Sequence, residues 1–314
     1  MIKAEDVRSA VVVGAGIMGH SIAQVFAHAG IEVGLVDLDE KSLERAMRLI
    51  KHNLGTLAEL GRIKNEEIPA ILNRIRPGTD LASAATAADF VLEAVVEVPA
   101  VKEQVFSKLD DICGGDTILA SNTSGLDIFD IVHVTKPERL VVTHWFAPPH
   151  IIPLVEVVPG PHTSPEVVEF TAKLMQRLGK RPVVMKEFVR SFIVNRIQNN
   201  ISLAVWEMLQ NGWATPEQID LAVKLSLGIR LPIVGVVQTY DFTGLDLVHQ
   251  MMQNFGFENK LVDEKFTQGH LGAKTSKGIY DYDGRTEEEI LKKRDELYVK
   301  MLEHLEKIKA FEPV

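Results

Sequence analysis

Ala10-Val11-Val12-Val13 runs directly into Gly14-Ala15-Gly16-Ile17-Met18-Gly19, and helix formers then continue to Ala29. A β-branched run, a glycine-rich turn and a helical segment give strand, turn and helix, with G-x-G-x-x-G at the junction. In such a turn the first glycine permits the tight bend, the second lets a pyrophosphate approach the backbone, and the third lets helix and strand pack closely. The helix N-terminus then offers unpaired N–H groups and a partial positive charge to the phosphates. The hexapeptide alone is weak, because glycine-rich turns are common. Its context strengthens it. Asp37 closes the next apolar run, Val33-Gly34-Leu35-Val36, 18 residues after Gly19, where a carboxylate would hydrogen-bond a ribose 2′-hydroxyl. Leu38-Asp39-Glu40 adds negative charge with no arginine, which disfavours a 2′-phosphate. The expected cofactor is therefore NAD rather than NADP, with Gly14, Gly16, Ile17, Met18, Gly19 and Asp37 at its site.

The same region raises a membrane question, because Ser9 to Ile31 is 23 residues without Asp, Glu, Lys or Arg, long enough to span a bilayer. Four glycines, two histidines, Ser21 and Gln24 interrupt it, and no small-residue cleavage site follows a basic start and apolar core. The expectation is a soluble chain. Lys+Arg 34 against Asp+Glu 43 gives a formal charge of −9, which argues against nucleic acid or an anionic membrane as the main partner. The single cysteine, Cys113, excludes an internal disulfide framework and a cysteine-based zinc site, and fits a cytoplasmic protein.

The first half alternates apolar β-branched runs with helical patterns, the signature of a parallel sheet in an α/β fold. Strands are expected at 10–13, 33–36, 90–94, 118–120, 141–145, 155–158 and 182–185. Helices are expected near 17–29, 41–60, 66–75, 99–112 and 165–178. After about residue 187 long 3.6-residue periodicities take over, at 192–209, 217–225, 245–255 and 287–308, so a smaller, all-helical domain follows. Thr215-Pro216-Glu217-Gln218 supplies one helix start, with Thr as cap and Pro first. With 314 residues, two domains are expected: a Rossmann-type NAD-binding domain over 1–187 and a helical domain over 188–314.

No H-E-x-x-H, G-x-S-x-G or G-x-x-x-x-G-K-[ST] occurs, so no metal or hydrolase motif competes. Nicotinamide chemistry needs a group that takes an alcohol proton as hydride leaves the carbon, and histidine suits this near neutral pH. His144 follows Leu140-Val141-Val142 at a strand end, where ligands bind in such sheets. Glu156 stands inside Leu154-Val155-Glu156-Val157-Val158, and a carboxylate in an apolar strand is costly unless paired. Neighbouring strands joined through 148–153 would bring it to His144 and fix the tautomer. From spacing alone, an outward-facing Glu and a core histidine fit equally well.

Gly14–Gly19, Ser121-Asn122-Thr123-Ser124, His144-Trp145-Phe146, Leu154-Val155-Glu156, Phe192-Ile193-Val194-Asn195-Arg196 and Lys277-Gly278-Ile279-Tyr280-Asp281-Tyr282 occur in this order. On these six motifs the chain resembles the short-chain L-3-hydroxyacyl-CoA dehydrogenases from end to end. The resemblance implies a Rossmann-type domain, a helical domain through which a homodimer forms, and a small-molecule substrate. It maps the catalytic pair onto His144 and Glu156, and the polar substrate-orienting residues onto Ser124 and Asn195. It places Glu97 and Lys102 beside the nicotinamide-side ribose, with Asn122 in the same cofactor-facing turn. As bare residues, Glu97 and Lys102 read equally as a solvated pair on a helix entry.

Four departures bear on the substrate. Ala147 stands where the family usually has Asn, and Arg190-Ser191 replaces Pro-Gly, putting a positive charge near the cleft. Pro232-Ile233-Val234-Gly235-Val236-Val237 replaces Pro-Met-Gly-Pro-Phe. Glu59 stands where acyl-CoA members tend to carry lysine, and a lysine would attract the CoA phosphates that Glu59 repels. A basic stripe of Lys41, Arg45, Arg48 and Lys51 lies earlier on that helix, and a solvated face is its default reading. The breadth of the resemblance puts an L-3-hydroxyacyl-CoA dehydrogenase first. The same chemistry on a non-CoA hydroxy acid or aromatic alcohol is the alternative favoured by Glu59, Ala147 and Arg190, since arginine clamps a free carboxylate bidentately. A non-catalytic, crystallin-like protein is the third reading, and retention of Ser124, His144, Glu156 and Asn195 argues against it.

Overall fold

Eight strands form one sheet: β1 (Ser9–Val13), β2 (Glu32–Val36), β3 (Ile75–Gly78), β4 (Phe90–Glu93), β5 (Ile118–Ser121), β6 (Leu140–Trp145), β7 (Leu154–Pro159) and β8 (Arg181–Val184). The structure is a computed structural model and describes residues 2–312. The strand order is β3-β2-β1-β4-β5-β6-β7-β8. The first six strands are parallel, β7 runs antiparallel to β6, and β8 is parallel to β7. The order 3-2-1-4-5-6 is that of the doubly wound dinucleotide-binding fold, and its switch point lies between β1 and β4. An α/β fold with a Rossmann-type domain is thus what the chain adopts.

The helices of this part are α1 (Gly19–His28), α2 (Glu40–Glu59), α3 (Ile68–Asn73), α4 (Leu81–Ala85), α5 (Pro99–Ile112), α6 (Ile128–Ile131) and α7 (Pro165–Arg177). They cover both faces of the sheet, which is why its strands read as continuous apolar runs rather than alternating ones. In β1, Val12 joins the core layer containing Ile22, Phe26, Ile50, Leu54 and Leu174. Val11 and Val13 join the opposite layer with Val91, Phe106, Leu109 and Leu119. The charge-free stretch 9–31 is divided by this strand–turn–helix geometry. No helix among the described residues is long and apolar enough to cross a membrane.

The expected strands all appear within a residue or so of their positions, and β3 is an addition. Ile75-Arg76-Pro77-Gly78 read as the end of a helix and a turn. It pairs only with β2, on the sheet edge, where proline is tolerated because its missing N–H breaks no central ladder.

The chain divides between Asn200 and Ile201 into two compact units. Helix α8 (Val194–Gln210) runs across that division, and α9 (Pro216–Leu225), α10 (Leu227–Thr243), α11 (Leu245–Asn254), α12 (Lys260–Thr267) and α13 (Glu287–Lys307) follow. Thr215 caps α9 as its sequence indicates: its Oγ1 accepts from Gln218 N and the Gln218 side chain accepts from Thr215 N. Helices α10 and α12 were not legible as periodic segments. Pro232 lies inside α10, and Gly235 interrupts it at φ 66°, so its apolar pattern has no single phase. Buried Asp241 of α10 accepts from Ile279 N, Tyr280 N and Tyr282 Oη. The Lys277–Tyr282 motif is therefore a loop folded around one carboxylate, and a side chain at Gly278 would collide with it.

Candidate active site

The site is assembled at the carboxyl ends of β1, β4, β5 and β6, where the parallel strands stop and loops begin. Gly14 follows β1 at φ 104°, and a Cβ there would come within 2.6 Å of Ala94 O. A Cβ on Gly19 would overlap the Gly14 carbonyl. These two glycines serve the protein's own packing. Gly16 differs: a Cβ there would meet nothing within 4 Å, so the open space over this turn is available to a ligand. Gly14, Gly16, Ile17, Met18, Asp37, Glu97, Asn122 and Ser124 all line one cleft of about 930 Å³, within the size range of small-molecule sites. Ile17 is exposed at its mouth.

Asp37 sits just past β2. Its Oδ2 accepts from Ala15 N at 2.7 Å and its Oδ1 from Asp39 N at 3.1 Å, which fixes the carboxylate against the glycine turn. Arg45 of α2 also lines the cleft, so one arginine does reach this end, from the turn beyond the acidic loop.

At the other end the carboxylates dominate. Glu93, the last residue of β4, accepts from Lys102 Nζ at 2.6 Å, Ser121 Oγ at 2.6 Å and Val95 N at 2.8 Å. Lys102 is only 1% exposed and also reaches Glu97 Oε2 at 3.1 Å. Glu97 Oε1 accepts from Thr123 Oγ1 at 2.5 Å and from Ser124 N at 2.8 Å. Burial pushes the Glu97 carboxyl up, but the Thr123 hydrogen bond, the Lys102 charge and the Ser124 N–H outweigh it and hold it below the usual range. The reading of Glu97 and Lys102 as a solvated pair is thus incorrect: Lys102 is enclosed between two carboxylates. Lys102 does not itself line the cleft, whereas Glu97 does. Asn122 Oδ1 accepts from Trp145 N at 2.9 Å, tying the β5 loop to the end of β6.

His144 and Glu156 stand directly opposite each other in the antiparallel β6–β7 pair. His144 Nδ1 lies 2.8 Å from Glu156 Oε2, with both side chains buried. A carboxylate only accepts, so Nδ1 is the donor of this bond, and in the neutral imidazole Nε2 keeps the free lone pair. The imidazole is flanked by Phe146 and Phe192, with ring centroids 4.5 and 5.2 Å away. The other oxygen, Glu156 Oε1, accepts from Ile193 N at 3.1 Å and Val194 N at 2.9 Å. It therefore caps the start of α8, and the next residue, Asn195, donates from Nδ2 to Ser124 O at 3.1 Å. Glu156 thus joins His144, Asn195 and Ser124 in one arrangement. Ser191 and Phe192 take positive φ, 68° and 52°, to aim those N–H groups. Arg190 is exposed. It precedes Ser191, which packs against Gly125, so Arg190 belongs to the segment beside the Ser124 turn. Sequence reasoning gave no role to Glu93, Ser121 or Thr123; Ser121 and Thr123 stand in the 121–124 motif, and the signal for Glu93 was an acidic residue closing the apolar run Phe90-Val91-Leu92.

Comparison with known proteins identifies the class. The family model of the 3-hydroxyacyl-CoA dehydrogenase NAD-binding domain matches residues 9–188, and that of the 3-hydroxyacyl-CoA dehydrogenase C-terminal domain matches residues 192–282. The chain belongs to the 3-hydroxyacyl-CoA dehydrogenase family and is an NAD-dependent oxidoreductase. It is 35% identical to a probable 3-hydroxybutyryl-CoA dehydrogenase of Bacillus subtilis over 292 residues, covering 90% of this chain and 99% of that one. It is 31% identical to the 5-formyl-3-hydroxy-2-methylpyridine 4-carboxylate 5-dehydrogenase of Mesorhizobium japonicum over 285 residues, covering 88% and 91%. Among solved structures, a 3-hydroxyacyl-CoA dehydrogenase of Archaeoglobus fulgidus superposes with a TM-score of 0.78 at 30% identity, covering 95% of this chain and 99% of that one.

Proposed function

We propose that the chain interconverts an L-3-hydroxyacyl-CoA and its 3-ketoacyl-CoA, with His144 as the proton-transferring group. The observation that carries this reading is the buried 2.8 Å contact of His144 Nδ1 with Glu156. It leaves Nε2 as a proton acceptor of fixed orientation. The cleft suits NAD: Gly16 leaves open space where the pyrophosphate would lie, Asp37 would accept from a ribose hydroxyl, and Glu97 and Asn122 would border the nicotinamide. Bound NAD supplies the hydride acceptor. In the oxidative direction Ser124 and Asn195 hold the substrate's 3-oxygen, and His144 Nε2 takes the hydroxyl proton as the C3 hydrogen leaves with its electron pair. Glu156 stabilises the resulting imidazolium and does not take the proton itself. In the reductive direction the imidazolium returns that proton to the developing alkoxide. The cytoplasm is the proposed compartment.

Helix α8 supports a homodimer through the helical unit. It has no buried residue along its length, although Ile197, Ile201, Leu203 and Trp206 are all exposed apolar side chains on it. Exposed apolar groups at this density mark an interaction surface.

A second reading, a free carboxylate-bearing substrate, has one specific support. Glu59 shares a surface hollow with Arg48 and Lys51 on α2, which weakens that stripe as a site for CoA phosphates. Exposed Arg190, beside the Ser124 turn, would then bind the carboxylate. NADH oxidation at 340 nm with acetoacetyl-CoA, beside free acetoacetate and a panel of keto acids and aldehydes, separates the two. Saturable turnover with the thioester and little with free acids is expected. Turnover only with free acids would replace the first reading with the second, and NADH binding without any turnover would point to the crystallin-like reading.

A further inference from the structure

The charged side chains along the cleft do not balance. Three carboxylates, Asp37, Asp80 and Glu97, line it against two cations, Arg45 and Lys108. Behind Glu97, Lys102 is matched by Glu93 at 2.6 Å. Glu93 is itself fully buried, with its oxygens taken by Lys102, Ser121 and Val95. Two carboxylates therefore share one ammonium, and of the two only Glu97, whose side chain is 41% exposed, faces the cleft. Thr123 and Ser124 donate to it, and hydrogen bonds to the charged form favour ionisation.

The two redox forms of NAD differ by a positive charge on one ring: the oxidised ring is a pyridinium and the reduced ring a neutral dihydropyridine. A fixed anion near that ring attracts the first form and not the second. With Asp37 at the ribose end and the glycine turn at the pyrophosphate, the nicotinamide falls to the end bordered by Glu97 and Asn122. That placement rests on the cofactor orientation proposed above.

We propose that Glu97, held in place by Lys102, Thr123 and Ser124, biases the site toward the oxidised form of its cofactor relative to a site with a neutral residue in its place. Because binding and redox equilibria are linked, the bound reduced cofactor is correspondingly a stronger hydride donor than it would be without that charge.

The test is calorimetric titration of the wild type, Glu97→Gln and Glu97→Asp with NAD⁺ and NADH separately, at low and high salt. Glu97→Gln retains an acceptor for Ser124 N but removes the charge. It should weaken NAD⁺ binding by roughly three- to tenfold and leave NADH binding within about twofold. Glu97→Asp should keep the wild-type ratio of the two affinities even if both fall. Salt should narrow the wild-type ratio toward that of Glu97→Gln. Equal losses for both cofactor forms in Glu97→Gln would overturn the proposal and reduce Glu97 to a support for the Ser124 turn, and so would unchanged affinities. Failure of the wild type to bind NADH at all would instead overturn the cofactor placement on which the proposal rests.

Discussion

Glu93 on β4 and Glu156 on β7 are carboxylates set in apolar strands of one sheet, 0% and 1% exposed, and each is matched by a buried basic side chain. Their partners separate them. Glu156 faces a histidine, whose ring nitrogens can both donate and accept a proton, and Glu93 faces a lysine, whose ammonium only donates. The first pair can take part in proton transfer. The second can only hold structure and field, which it does by anchoring Lys102 and Ser121 behind the cofactor end of the cleft. A buried carboxylate is therefore not itself a signature of catalysis; the donor and acceptor capacity of its partner decides.

Substitutions that break the comparison should differ in kind. His144→Ala removes the proposed proton acceptor and should lower kcat by about 10²–10⁴-fold, while NADH affinity changes by less than about twofold. Stopped-flow turnover beside NADH fluorescence titration checks this, and near-wild-type turnover would remove His144 from the role. Glu156→Gln should lower kcat by about 10²-fold or more, because the imidazole loses the partner that fixes its tautomer. Its amide oxygen still accepts from Ile193 N and Val194 N, so the start of α8 should persist.

Glu93→Gln should show the opposite profile, with stability falling more than chemistry. Removing one member of a buried pair costs about 3–5 kcal/mol. The loss here should lie at the low end, because Glu97 remains beside Lys102. Denaturant unfolding measures it. The double variant Glu93→Gln/Lys102→Met should lose less than the sum of the two single changes, since no buried charge is left unpaired. Additive losses would mean that the 2.6 Å contact carries no coupling.

The same contrast explains what was legible in the sequence. Glu156 interrupts a continuous apolar run, so its burial and need for a partner could be read, and His144 stands twelve residues earlier on a strand end. Glu93 closes its run, a place where a carboxylate ordinarily meets water, and its partner Lys102 lies on a helix that looks amphipathic. Nothing local distinguishes it from a solvated residue. The parallel strands were legible because both faces are buried, whereas β3 was hidden by its proline and its edge position. In the helical unit the Lys277–Tyr282 motif was visible but its purpose was not. The carboxylate that organises it, Asp241, lies 38 residues before Ile279, and periodicity carries no information about such a contact.

Lys180 sharpens the comparison by supplying a buried cation with no ion-paired carboxylate among the described residues. It is 8% exposed, donates to Pro149 O and Ile152 O, and lies 5.5 Å from the Trp145 ring centroid. Burial lowers its pKa from 10.5 to about 8, whereas Lys102 has two carboxylates in reach. Below about pH 8 both folded and unfolded chains carry the charge on Lys180, and the folded chain bears the full cost of burying it. Between about pH 8 and 10.5 the unfolded chain keeps its proton while the folded chain has lost it, so stability rises with pH across that window. Relative to Lys180→Met, the wild type should gain stability over this range, by no more than about 3 kcal/mol. Unfolding midpoints of the two proteins at pH 7.5 and 9.5 decide it. A wild-type advantage that stays flat or shrinks as pH rises would show that the two carbonyls and the Trp145 face already compensate the ammonium, and that a buried lysine here needs no carboxylate.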